Sequence, residues 1–187
     1  MVLDYAGIEV EYREIIFKNK PPHMLKISPK GTVPVLQLGN GIVLEESWAI
    51  MKWAVSTHDP ENLFPEINQV RQEIESLVGL NDFEFKHNLD KYKYSDRYPQ
   101  YPQLTYRVQC EKFLNKLDQR LRRSTFLLGK KITLGDIAIF PFVRQFFMVE
   151  AGWLAQSNYK ALSKWLEQLL DSDRFRRIMD KKPVWQF

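Results

Sequence analysis

The chain has 187 residues, 44% of them hydrophobic and 27% charged, enough apolar material for one or two self-sufficient cores. Its longest unbroken apolar run, residues 137–143, falls far short of the roughly 18 residues needed to cross a bilayer, which excludes a membrane-spanning helix. The net charge is +4, and the single cysteine excludes an internal disulfide framework and a multi-cysteine zinc site and suits a reducing, cytoplasmic setting.

With the early acids Asp4, Glu9, Glu11 and Glu14, no secretion signal is expected. Residues 1–65 carry six basic against eight acidic side chains, and the remainder 21 against 15. The basic excess is scattered as pairs such as Arg122-Arg123 and Arg176-Arg177. Solvated helix faces explain it, and neither a nucleic-acid nor a membrane partner is expected.

In chain order, residues 1–6 followed by Gly7 read as the last part of a helix with its glycine cap. Residues 8–16 alternate apolar and polar, and 33–38 and 42–46 are short runs rich in branched residues, so three strands are predicted. Asn40-Gly41 between the last two predicts a two-residue turn and antiparallel neighbours. A helix over 47–56 follows, with Ser47 as its N-cap. Residues 58–65, with two prolines, read as a linker.

Beyond it the period is helical. Val70, Ile74, Leu77 and Val78 make one apolar face. Tyr106, Cys110, Phe113, Leu114, Leu117 and Leu121 make a second, and Tyr159, Leu162, Trp165, Leu166, Leu169 and Leu170 a third. Thr133 and Asp136 have the spacing of a capping box that opens a buried helix, and Pro141 should bend that helix. Cys110 reads as a packed core thiol. His23, His58 and His87 lie far apart in sequence, so no local metal-ligand spacing exists and no metal is expected. The stretch 91–102 interleaves bases with tyrosines, as a single-strand nucleic-acid groove does.

Three segments in this order, S-P-K-G-T-V-P-V-L at 28–36, L-E-E-S-W-A-I at 44–50 and I-T-L-G-D-I-A-I-F-P-F at 132–142, resemble the cytosolic glutathione S-transferases. The Asn-Lys-Pro run at 19–21 is similar to omega-type and bacterial members. The resemblance implies an α/β plus all-α protein. A thioredoxin-like glutathione-binding domain would span 1–58, and the all-helical C-terminal domain 66–187. It implies glutathione as substrate, a small electrophile as co-substrate, and a homodimer, for which Trp48 and Trp53 are aromatic candidates.

The site residues it implies are Lys20, Val33, Pro34, Glu46 and Ser47. The family's Val-Pro bond is cis, which would turn the Val33 main chain outward to pair with the cysteinyl part of glutathione by strand addition. The plain alternative is an edge proline. Glu46 can accept from an ammonium, while Ser47 and the helix start can hold a carboxylate, the two charges of a γ-glutamyl group. An ordinary serine cap beside a helix-dipole acid is the competing reading. Lys20 either meets a glutathione carboxylate or is a solvated loop lysine. Tyr98 and Tyr101 either rim the electrophile pocket or sit in a plain connection.

The family's first strand, and the tyrosine, serine or cysteine at its junction with the first helix, have no counterpart here. Tyr5 matches the end of that helix and no catalytic residue is assigned. A late start codon, a shortened form and a natural loss of catalysis are the competing explanations, and the chain as given should have little transferase activity. Without the central strand, 8–16 should shift sideways to pair antiparallel with 33–38, or a second chain should supply a strand. The function implied is glutathione conjugation or thiol exchange in the full-length form. A non-catalytic binding or scaffold protein on the same fold is the alternative.

Overall fold

Residues 1–150 and 152–186 are described by a computed structural model, in which the chain divides into two compact units. Unit 1 comprises Met1–Glu61 with Arg176–Phe187, and unit 2 comprises Asn62–Phe175. The sequence reading assigns all of 66–187 to the helical part, whereas the last twelve residues group with unit 1.

In unit 1, α1 (Val2–Tyr5) is a single turn closed by glycine. Gly7 takes φ +63°, Ile8 N–H donates to Leu3 O at 2.9 Å, and Gly7 N–H donates to Asp4 O at 3.2 Å. These are the two bonds of a Schellman cap, as the Ala6-Gly7 pair predicts. The predicted strand 8–16 is not part of a ladder. Its pairing is limited to single bridges, Glu14 with Val184 in parallel and Ile16 with Asn19. It does not pair with 33–38; at Glu14 the tail supplies the partner instead. Alternation makes a segment extended, but only a partner edge makes it a strand.

A short helix that the pattern does not announce, α2 (Pro22–Ile27), starts on proline at its first position, where the missing N–H is harmless. The hairpin is smaller than predicted: β1 (Leu36–Gln37) pairs antiparallel with β2 (Val43–Leu44), in register Leu36 to Leu44 and Gln37 to Val43. Its loop also has three residues rather than two. Leu38 N–H donates to Ile42 O, Gly41 N–H donates to Leu38 O, and Gly41 alone takes the left-handed angle, φ +86°. Asn40 contributes through its side chain, whose Oδ1 accepts from Ile42 N–H at 3.1 Å. α3 (Ser47–Thr57) buries Ile50 and Ala54. Glu46, not Ser47, is its N-cap residue.

Unit 2 opens with Leu63, which is buried and whose carbonyl accepts from Leu134 N–H at 2.8 Å; the linker reading of 58–65 ends there. α4 (Asn68–Leu80) runs through a π turn at Asn81–Phe85 into α5 (Lys86–Lys93). α6 (Gln103–Leu121), α7 (Leu134–Val149), the short α8 (Trp153–Gln156) and α9 (Lys160–Leu170) follow. α10 (Asp173–Met179) leads into the tail.

The three predicted stripes are the core except at their ends Val70 and Leu170, which are half-buried. Ile74, Leu77 and Val78, the α6 series from Tyr106 to Leu121, and Tyr159, Leu162, Trp165, Leu166 and Leu169 are all buried. Each large side chain contributes about 1.5–3 kcal/mol by leaving water. The capping box at Thr133 and Asp136 is present, and α7 continues through Pro141.

Two buried carboxylates lock this core. Asp136 accepts from Thr133 N–H, the Thr133 hydroxyl, Leu127 N–H and the Trp165 indole, all within 2.9 Å. Burial pushes its carboxyl above the usual range, and the four donors oppose that shift. Asp118 accepts from Ala161 and Leu162 N–H at 3.1 and 3.0 Å, so a side chain of α6 caps the start of α9.

Candidate functional site

A buried hydroxyl draws the loop 28–34 to the strand-to-helix junction of unit 1. Ser28 has no exposed surface and donates to Glu45 Oε1 at 2.7 Å. Glu45 Oε2 lies 3.7 Å from Lys30 Nζ, which stands 3.8 Å from Glu46 Oε1. From the last ladder pair, Leu36 with Leu44, one arm runs back to Pro34 and Val33 and the other runs on to Glu46 and Ser47 at the start of α3. The Val33–Pro34 peptide is cis. Val33 is 43% exposed, and among the described residues nothing hydrogen-bonds to its main-chain N–H or C=O.

α3 makes its first main-chain bond from Ile50 N–H to Glu46 O, so the N–H groups of its first turn point outward with the positive end of the helix dipole. Lys20 lays its side chain along Gly31. A Cβ added to that glycine, whose φ is +61°, would stand 3.4 Å from Lys20 Cδ and 3.5 Å from its Nζ. Lys20, through Gly31, and Glu46, through Lys30, thus reach the loop 28–34 that contains Val33 and Pro34, and Ser47 follows Glu46 as the first residue of α3. Chemically, the arrangement offers an unpaired length of backbone, cations at Lys20 and Lys30, carboxylates at Glu45 and Glu46, and a helix start. Ser28, Lys30 and Glu45 are absent from the sequence reading. Ser28 and Glu45 are 17 residues apart, and no periodicity signals a contact that the hairpin alone creates.

Tyr98 and Tyr101 lie in unit 2, after a 3-10 turn at Ser95–Arg97. Lys91 Nζ sits 6.0 Å from the Tyr98 ring and 5.8 Å from the Tyr106 ring, and Tyr101 meets Tyr106 edge-on at 6.2 Å. This basic and aromatic cluster is held together by cation–π contacts. Neither tyrosine lines the roughly 410 Å³ cavity of this unit, whose wall includes Glu111, Asn115, Arg122, Trp153 and Tyr159.

Beside that cavity runs a polar chain that sequence spacing does not reveal. Tyr92 donates to Glu150 at 2.8 Å, Arg107 also donates to Glu150 at 2.8 Å, and Tyr159 donates to Glu111 at 3.3 Å. Burial, with the Glu111 carboxylate, pushes the Tyr159 phenol up to about 12, so it acts as a hydrogen-bond donor and not as a base. Cys110 is fully buried and pushed up to about 12 by burial, a neutral core thiol with no nucleophilic role. His23, His58 and His87 sit in different elements, and no cluster of metal-ligating side chains occurs among the described residues. None of the described helices is long and apolar enough to cross a membrane.

The fold and the loop geometry are those of a thioredoxin-like domain with a helical partner, and comparison with known proteins agrees. Residues 1–57 match the glutathione S-transferase N-terminal domain, and residues 70–168 match the glutathione S-transferase C-terminal domain. The chain belongs to the glutathione S-transferase family.

Elongation factor 1-gamma of Drosophila melanogaster is 24% identical over 94% of this chain and 41% of its own length. Glutathione S-transferase L3 of Arabidopsis thaliana is 29% identical over 85% of this chain and 66% of its own length. The chain spans less than half of the elongation factor relatives it matches. Among solved structures, the glutathione transferase URE2P6 of Phanerochaete chrysosporium, in complex with oxidized glutathione, superposes with a TM-score of 0.80 at 21% identity. That match covers 95% of this chain and 86% of the other.

Proposed function

We propose that the protein, in its full-length form, is a glutathione transferase whose unit 1 takes glutathione and whose reaction joins it to a small electrophile or exchanges thiols through it. The tripeptide lies along the unpaired Val33 backbone and past Pro34. Glu46 accepts from the γ-glutamyl ammonium, and Ser47 with the first-turn amides of α3 holds the neighbouring carboxylate. Lys20 supplies a cation for a second carboxylate. The glutathione thiol reacts as thiolate: a carbon–sulfur bond forms as the electrophile's leaving group departs, or a disulfide exchanges. No residue of this chain is assigned to that ionisation.

Residues 1–58 act as the glutathione-binding domain and 66–187 as the helical domain, where Tyr98 and Tyr101 face the electrophile. The protein works as a cytoplasmic homodimer. The observation that supports this reading is the unpaired main chain of the exposed Val33, in a segment matching the family's N-terminal domain. Glu46→Ala and Ser47→Ala should each weaken glutathione binding, measured calorimetrically, by about 1–3 kcal/mol. Unchanged affinities in both would remove the assignment. The likeness to elongation factor 1-gamma over 94% of the chain supports a second reading, a non-catalytic binding or scaffold protein on the same fold.

A further inference from the structure

The loop bearing Lys20 is held from outside itself. Upstream, Glu14 forms a parallel bridge with Val184, and Trp185 N–H donates to Glu14 O at 2.9 Å. Downstream, the Trp185 ring meets the His23 ring edge-on with centroids 4.9 Å apart, and His23 belongs to α2. The Arg13 guanidinium lies 4.6 Å from the Trp185 ring centroid, with Nη1 3.4 Å from His23 Nε2, and is oriented by a two-bond pair with Glu11 at 2.9 and 2.7 Å. One tail residue therefore touches both flanks of the segment 14–23.

Between those flanks, the Lys20 loop has little of its own. Asn19 N–H donates to Ile16 O, Phe17 and Ile16 are exposed, and α2 begins only at Pro22. A chain tethered at both ends, at one by main chain and at the other by a side chain of a distant segment, has fewer conformations than one hanging free, so whatever grips both ends lowers the cost of ordering the middle. What the loop delivers is the Lys20 side chain, laid along Gly31, two residues before Val33.

We propose that the tail segment 183–186 is a strap, with Trp185 as a positioning residue, that orders the Lys20 loop and so strengthens the capture of an anionic ligand group by Lys20. The coupling is reciprocal: a ligand that fixes Lys20 must also hold the tail more firmly. The inference rests on the reading that Lys20 meets a carboxylate of glutathione, but the ordering of the loop by the tail does not.

The test combines ligand-free hydrogen exchange with glutathione titration of the full chain and its Trp185→Ala, Trp185→Phe and Lys20→Met variants. Without ligand, Trp185→Ala should speed exchange of the amides in 14–25 by about tenfold, while unit 2 is unmoved and Trp185→Phe, which keeps a ring against His23, stays near the parent. Trp185→Ala should weaken glutathione binding by about fivefold or more, and this loss should vanish in the Lys20→Met background. Unchanged exchange over 14–25 in Trp185→Ala would overturn the strap, whatever the ligand does. A loss of affinity that persists undiminished in Lys20→Met would overturn action through Lys20. If the parent chain takes up no glutathione at all, the reading of the site fails, and the exchange arm still decides the strap.

Discussion

Units 1 and 2 bury their residues by different means. In unit 2 the helices α4 to α7 and α9 supply most of the large core side chains, and its two buried carboxylates, Asp118 and Asp136, have donors from several elements. In unit 1 the buried apolar side chains among the described residues are Val2, Ala6, Met24, Ile50 and Ala54, none of them aromatic, while Val10, Tyr12, Ile16, Phe17 and Ile42 are exposed. Its sheet is two residues by two, below what stands alone in water. Unit 2 is held by packing, and unit 1 by point contacts: a glycine cap, a buried serine and a tail tryptophan. The main chain of Val33, to which nothing hydrogen-bonds among the described residues, lies in the less packed unit.

The largest expected contrast is in thiol reactivity. Cys110, the single cysteine, is buried and its ionisation is pushed up to about 12, so the thiolate that reacts with a disulfide reagent is suppressed while unit 2 is folded. Below pH 9 the folded chain should react about a thousandfold more slowly than the chain in denaturant. Raising the pH from 7 to 9 should accelerate both and narrow the contrast slightly, because the unfolded thiol, with a pKa of about 8.5, approaches full ionisation while the buried one remains far below its own. Rapid labelling of folded protein would break the claim that unit 2 is tightly packed. Next comes Asp136→Ala, which strands four donors and should cost about 3 kcal/mol or more in chemical denaturation. Asp118→Ala, which uncaps α9 from another helix, should cost about 1–3 kcal/mol, and Asp118→Asn, which keeps an acceptor, less.

Thr133→Ala should cost about 0.5–2 kcal/mol through loss of the cap of α7 without touching unit 1. An unmoved denaturation midpoint would mean that Asp136 carries the cap alone. The smallest effect belongs to unit 1. Gly7→Ala meets nothing within 4 Å but must adopt φ +63°, so it should cost about 1 kcal/mol, all of it conformational. A larger loss would show that α1 is packed more tightly than its exposed neighbours suggest.

The same contrast decides what could be read from the chain. The helical stripes of unit 2 were legible because 3.6-residue periodicity is a local signal, and Thr133 and Asp136 announced their cap by spacing alone. The strand at 8–16 was misread because pairing is a property of the neighbouring edge, and Ser47 was placed one residue early in the capping order. Lys20, Val33, Pro34, Glu46 and Ser47 were legible as motif residues. Ser28, Lys30 and Glu45, which draw that region together, were not, since their contacts arise only when the hairpin closes. The tail was equally silent: nothing in Pro183-Val184-Trp185 signals Glu14 or His23 as a partner.

Amide NMR during a glutathione titration tests the central claim most directly, that the ligand is held by the loosely packed unit through the loop 28–34 and the start of α3. The account predicts that the amides of Lys20, Val33 and Ser47 shift together along one saturating curve, with the interior of α6 and α9 unmoved. No shifts at millimolar glutathione, or shifts confined to residues 62–175, would contradict it.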